Sequence, residues 1–79
     1  MKLTIVYYAA LREQRGCSQE NVETAAATPG AVYDELRAQH GLRLAPGQLR
    51  AAVNDAFAAW DAPLQEGDTV VFIPPVAGG

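Results

Sequence analysis

Apolar and polar positions alternate in short bursts along this chain, and each burst predicts one element. Residues 2–8 put Leu3, Ile5 and Tyr7 on one face of a strand and Val6 and Tyr8 on the other. A strand apolar on both faces is central, or is buried on one side and recognised on the other. Residues 9–15 are good helix formers closed by Gly16, which predicts a short helix. Weak alternation through Val22 and Thr24 predicts an edge strand over 20–26. Thr28-Pro29 then opens a longer helix, with a capping hydroxyl followed by a proline preset for the first turn. Asp34 and Glu35 lie early in that helix, where carboxylates suit the positive end of the dipole. Val32 and Leu36 share one face with Tyr33 beside them, His40 falls in the last turn, and Gly41 ends the helix. Pro46-Gly47 marks an irregular loop within 42–49. Residues 50–54 read as a strand and Asn54-Asp55 as a turn into Phe57-Ala58-Ala59-Trp60. A turn through Pro63, Glu66, Gly67 and Asp68 precedes the last strand over 69–73.

The order is strand, short helix, strand, long helix and three short strands. It predicts an α+β roll, with a mixed sheet of about five strands packed on one main helix. The first two strands form a hairpin-like pair bridged by the short helix. The long helix is the crossover that lets a later strand lie parallel to the first. Strand parity puts Leu3, Ile5, Tyr7, Val70 and Phe72 under the helix. It puts Val6, Tyr8, Val71 and Ile73 on the opposite face, where a lone domain has nothing to cover them. An apolar patch of this kind marks an interface. Phe57 either joins that patch or packs in the core.

Composition narrows the function classes. Seventy-nine residues make one domain, and 15 of its apolar residues are alanines, so a small set of larger side chains must build the core. The formal net charge of −3 and the lack of a basic run argue against nucleic-acid binding. One cysteine, Cys17, cannot form an internal disulfide and suits a reducing cytosol. With one histidine and one cysteine there is neither a zinc-binding spacing nor a Ser–His–Asp or Cys–His constellation. Lys2 followed by the apolar run 3–11 superficially resembles a signal peptide. The run is short, rich in strand formers and leads straight into Arg12-Glu13, so it reads as a structural strand. No other segment approaches a membrane span. The expectation is a cytoplasmic protein without membrane contact.

The sharpest feature is the ending Pro74-Pro75-Val76-Ala77-Gly78-Gly79, directly after the last strand. Two prolines stop the strand and hold the adjoining residues extended. Only small residues come next, which makes a narrow arm with a carboxylate at its tip. The expected division is a folded domain over 1–73 and an extended tail over 74–79.

Four stretches carry a resemblance across essentially the whole chain. They are Tyr8-Ala9-Ala10-Leu11-Arg12-Glu13, Ala52-Val53-Asn54, Leu64-Gln65-Glu66-Gly67-Asp68-Thr69-Val70, and Phe72-Ile73 with the ending. Together they closely resemble the small-subunit family of molybdopterin synthase, which are ubiquitin-like sulfur carriers with a β-grasp fold. The resemblance implies that an E1-like activating enzyme uses ATP to adenylate the Gly79 carboxylate. A sulfur donor then displaces AMP and leaves a thiocarboxylate. The large synthase subunit takes Pro75, Val76, Ala77, Gly78 and Gly79 into its active site, where sulfur passes to cyclic pyranopterin monophosphate. The family implies a heterotetramer, catalytic residues on the large subunit, and no cofactor bound to the carrier beyond covalent AMP or sulfur at Gly79. Tyr8, Phe57, Val71 and Ile73 are the expected partner-binding residues. Arg12 and Glu13 fit either an exposed ion pair or a partner contact. Cys17 reads as inert, because reactivity needs a lowered pKa. Sibling carriers for thiamin thiazole, tRNA thiolation or cysteine synthesis share the roll and the Gly-Gly ending. A ubiquitin-like protein tag is a rival of another class.

Overall fold

The apolar bursts fold into a sheet with one face under a helix. A computed structural model describes residues 1–74. The elements are β1 (Lys2–Tyr7), α1 (Ala9–Arg15), β2 (Gln19–Glu23), α2 (Pro29–His40), a 3-10 turn (Pro46–Gln48), β3 (Arg50–Val53), β4 (Ala56–Ala58) and β5 (Thr69–Ile73). The sheet order is β2-β1-β5-β3-β4. The central pair β1 and β5 is parallel, with Ile5 opposite Val70 and Tyr7 opposite Phe72. The other three pairings are antiparallel. One mixed five-stranded sheet packed on one main helix is the β-grasp roll.

Local signals place the helix ends. The Thr28 side chain accepts from the Ala31 N–H at 3.2 Å, and Pro29 occupies the first turn of α2. Gly16 and Gly41 close the two helices with φ of 85° and 65°, a left-handed conformation that costs glycine least. Asp34 and Glu35 fall beyond the first turn of α2, so they do not serve its dipole as expected. Glu35 instead accepts a 2.7 Å hydrogen bond from the Thr24 hydroxyl, which ties the helix to the chain after β2.

Parity holds across the inner face. Leu3, Ile5, Tyr7, Val70 and Phe72 are all at most 2% exposed, and they meet Val32, Tyr33 and Leu36 of α2. Removing any such large side chain would cost about 2–5 kcal/mol through lost burial and the cavity left behind.

Four strands end elsewhere than expected, β3 among them because Asn54 leaves the strand for the hairpin turn. β1 ends at Tyr7 because Ala9 turns the chain into α1 with φ of 50°, leaving Tyr8 extended at the helix entrance. β2 spans 19–23 because Thr24 closes the ladder, exchanging backbone hydrogen bonds with Met1, and its hydroxyl then accepts from the Ala26 N–H as the chain turns away. β4 stops at Ala58 because Trp60 turns inward to stack on Phe72, with ring centroids 6.1 Å apart and planes 9° apart. The run 3–11 that resembles a signal peptide supplies most of β1, one strand of the central pair, and α1's buried Leu11. No helix among the described residues is long and apolar enough to cross a membrane. The expected tail residues Pro75, Val76, Ala77, Gly78 and Gly79 lie outside the described residues. Pro74, the first residue of that tail, is buried.

Candidate docking face

The face of the sheet away from α2 is graded from polar to apolar along the strands. At one end Thr4 pairs with Asn21 on one side and with Thr69 on the other, a polar row. Two residues further along, Val6, Val71, Ala52 and Phe57 align across four strands. Beyond them Arg50 faces Ile73. The apolar end is therefore the end from which β5 runs into Pro74.

Tyr8, Ala52, Asp55, Phe57, Val71 and Ile73 line one groove of about 230 Å³ on this face. All four expected partner-binding residues are thus brought together. Tyr8 is 51% exposed and Phe57 is 66% exposed, while Val71 and Ile73 are half-buried. Of the two readings of Phe57, the structure takes the surface one. Ala52 points outward yet is only 8% exposed, because it forms the groove floor. Sequence reasoning missed Ala52, Asp55 and Arg50 as parts of this face. The parity of 50–53 against 70–73 was the signal that could have found Ala52 and Arg50.

Two polar networks hold the groove walls. Behind Tyr8, the Tyr7 hydroxyl donates to Glu20 from the inner face, and Arg15 of α1 grips the same carboxylate at 2.8 and 2.7 Å. Arg15's hydrogen bonds hold the Glu20 carboxyl below its usual range, despite the opposing effect of burial. Burial pushes the Tyr7 phenol upward, and the hydrogen-bonded Glu20 carboxylate adds to that. The residues on both sides of Tyr8 are therefore anchored. At the other wall, Asn54 and Asp55 adopt φ of 50° and 72°, the two left-handed residues of a tight hairpin turn that carries Phe57. The Asn54 backbone N–H donates to the Thr69 carbonyl at 2.9 Å, and its side-chain oxygen accepts from the Thr69 N–H at 3.0 Å. Its amide nitrogen donates to Asp68 at 2.9 Å, whose other oxygen accepts from the Gln65 N–H at 2.8 Å.

The remaining candidates lie apart from this face or add no chemistry to it. Arg12 and Glu13 are both exposed and make no ion pair among the described residues. Cys17 is half-buried and packs against the core. His40 is half-buried in the last turn of α2. Among the described residues no group of three or more His, Cys, Asp or Glu is placed to hold a metal.

Residues 5–79 match the ThiS family. The chain belongs to that family. It is 36% identical over 80 residues to the molybdopterin synthase sulfur carrier subunit of Escherichia coli strain K12, covering 98% of this chain and 99% of that one. Among solved structures it is similar to SAMP1 from Haloferax volcanii, with a TM-score of 0.81 and 24% identity over 100% of both chains. It is also similar to a putative molybdopterin converting factor, subunit 1, from Pyrococcus furiosus. That match has a TM-score of 0.79 and 26% identity, and covers 96% of this chain and 99% of that one. Family membership and the shared roll agree with the resemblance carried by the four sequence stretches.

Proposed function

We propose that this member of the ThiS family is a sulfur carrier of molybdenum cofactor biosynthesis, working as the small subunit of a molybdopterin synthase in a reducing cytosol. The observation that carries the reading is the grouping of Tyr8, Phe57, Val71 and Ile73 around one groove at the end of the sheet from which β5 leads into Pro74. Full-length similarity to a subunit named as a sulfur carrier supports it.

In this reading the fold is a handle and Gly79 is the reacting end. A carboxylate is a poor electrophile at neutral pH. Attack of a Gly79 oxygen on the α-phosphorus of ATP, on an E1-like activating enzyme, gives an acyl-adenylate and releases pyrophosphate. A sulfur nucleophile then adds to the carbonyl and AMP leaves with the electron pair, which yields the thiocarboxylate. Glycine adds no bulk around that carbonyl. The large subunit receives the docked face, admits the narrow 75–79 tail and supplies the catalytic groups that pass sulfur to cyclic pyranopterin monophosphate. The carrier needs no catalytic side chain and no bound cofactor of its own.

The test is intact-mass measurement after incubation with the activating enzyme, ATP and a sulfur source. The expected gain corresponds to one oxygen replaced by sulfur, localised to Gly79 and unchanged by Cys17→Ala. Deleting Gly79, or appending one residue that is not clipped off, abolishes loading while thermal unfolding stays nearly unchanged. A persulfide on Cys17 would add a whole sulfur atom, and a covalent adduct to lysine would mark a protein tag; either would overturn the reading. Loading followed by thiazole synthesis or tRNA thiolation in place of molybdopterin formation would keep the carrier chemistry and replace the pathway.

A further inference from the structure

The docking groove has a cation on its flank that pairs with no carboxylate among the described residues. Arg50 faces Ile73 across the ladder, and its guanidinium lies 4.5 Å from the centroid of the Phe57 ring. The ion pairs among the described residues are the amino terminus with Glu23 and Arg15 with Glu20, and neither involves Arg50. Asp55 lines the groove on the Tyr8 side of Phe57. Arg50 lines the neighbouring apolar groove of about 400 Å³ toward Pro74. Asp68 is engaged by Asn54 and Gln65. Contact with the Phe57 ring restrains the guanidinium, and none of its N–H groups donates a hydrogen bond among the described residues.

From this we propose that Arg50, held by Phe57, selects the partner, and that the docking surface of the large subunit presents a carboxylate that Arg50 grips as Phe57 is buried. The inference rests on the docking role proposed above and adds its charge requirement. Covering a two-thirds exposed Phe57 also strips water from the cation stacked on it. A guanidinium desolvated without an acceptor is strongly unfavourable, whereas a planar carboxylate meets its fork with two hydrogen bonds. One cation at the groove of a chain with net charge −3 suits one carboxylate on a protein surface and does not suit a polyanion. Arg50 thereby lets an otherwise apolar patch reject partners that lack the acid.

The experiment titrates the full chain against the large subunit by calorimetry at about 50 and about 300 mM salt, across which exposed charges become progressively screened. Arg50→Glu should weaken binding about a hundredfold, and Arg50→Met about tenfold with a flattened salt dependence. Reversing acidic residues on the large subunit one at a time should yield one Arg substitution that restores binding of Arg50→Glu and weakens binding of the wild type. Ile73→Lys serves as the control for the face itself. If Arg50→Glu and Arg50→Met bind like wild type while Ile73→Lys fails, the charge requirement is wrong and the docking face stands. If Ile73→Lys also binds like wild type, the docking face falls with it. If the chain alone forms a dimer that Arg50→Glu dissociates, the carboxylate belongs to Asp55 of a second copy and the inference is overturned.

Discussion

Truncating Phe57 to alanine should separate docking from folding, and the structure sets the size of the gap. An aromatic side chain carries about 150–250 Å² of buriable surface. With 66% of Phe57 exposed in the free protein, about 100–165 Å² remains for a partner to cover. At about 25 cal/mol per Å² this amounts to roughly 2.5–4 kcal/mol of potential docking energy. Alanine keeps the Cβ, and association never realises all of the area, so the expected loss is about 2–3 kcal/mol. That corresponds to a rise in Kd of roughly 30- to 150-fold. The third of the side chain already covered packs on Ala52 and under Arg50, and its loss should lower stability by only about 1–2 kcal/mol. Calorimetric titration with the large subunit measures the first quantity, and thermal or urea unfolding of the free chain measures the second. Unchanged affinity with a stability loss above about 3 kcal/mol, the range of a core truncation, would show that Phe57 serves the fold and would refute the argument.

Two further predictions concern the supports of the groove. Asn54→Ala removes the side-chain bonds that tie the β3–β4 hairpin to 68–69 and strains its left-handed turn, and unfolding should show a loss of about 1–3 kcal/mol with weaker docking through the displaced Phe57. Glu20→Gln should cost about 1 kcal/mol near neutral pH, because the carboxylate gripped by Arg15 and Tyr7 is held below its usual range. A depressed carboxylate stabilises the fold above its unfolded pKa of about 4.3, and that contribution is lost as pH falls through the lower folded value. The difference between wild type and variant in urea unfolding should therefore be flat from about pH 6 to 8 and shrink below about pH 4.

The fold was legible where one local rule decided the outcome. Thr28-Pro29 set the start of α2, Gly16 and Gly41 set the helix ends, and the two-residue period sorted 3–7 and 70–73 into a buried and an open face. The four expected members of the groove came from that same parity and from the Asn54-Asp55 turn. What escaped depended on contacts between segments far apart in the chain. Trp60 looked like the end of a strand until the rings of Tyr33 and Phe72 offered it an aromatic pocket. Glu35 looked like a dipole partner, yet a hydroxyl 11 residues away was the nearer donor. Tyr7 was correctly placed on the buried face, but its hydroxyl then required an acceptor, and only the folded β1–β2 pair shows that Glu20 supplies it. Arg50 was an ordinary surface position until the register brought it beside Phe57.

A domain this small has room for one core, and β-grasp geometry puts that core on one side of the sheet only. Groups on the other face can therefore change to suit a partner with little loss of fold stability. Ala52 is the exception that links the two demands. It faces outward opposite both Val71 and Phe57, and its small side chain lets the groove close over it to 8% exposure. A larger side chain there would leave the inner face untouched while lifting Phe57 from its seat, and Arg50 with it. Alanine at this position is thus a requirement of the groove's depth, imposed by recognition through the same strand that packs Ala51 beside Phe72 in the core.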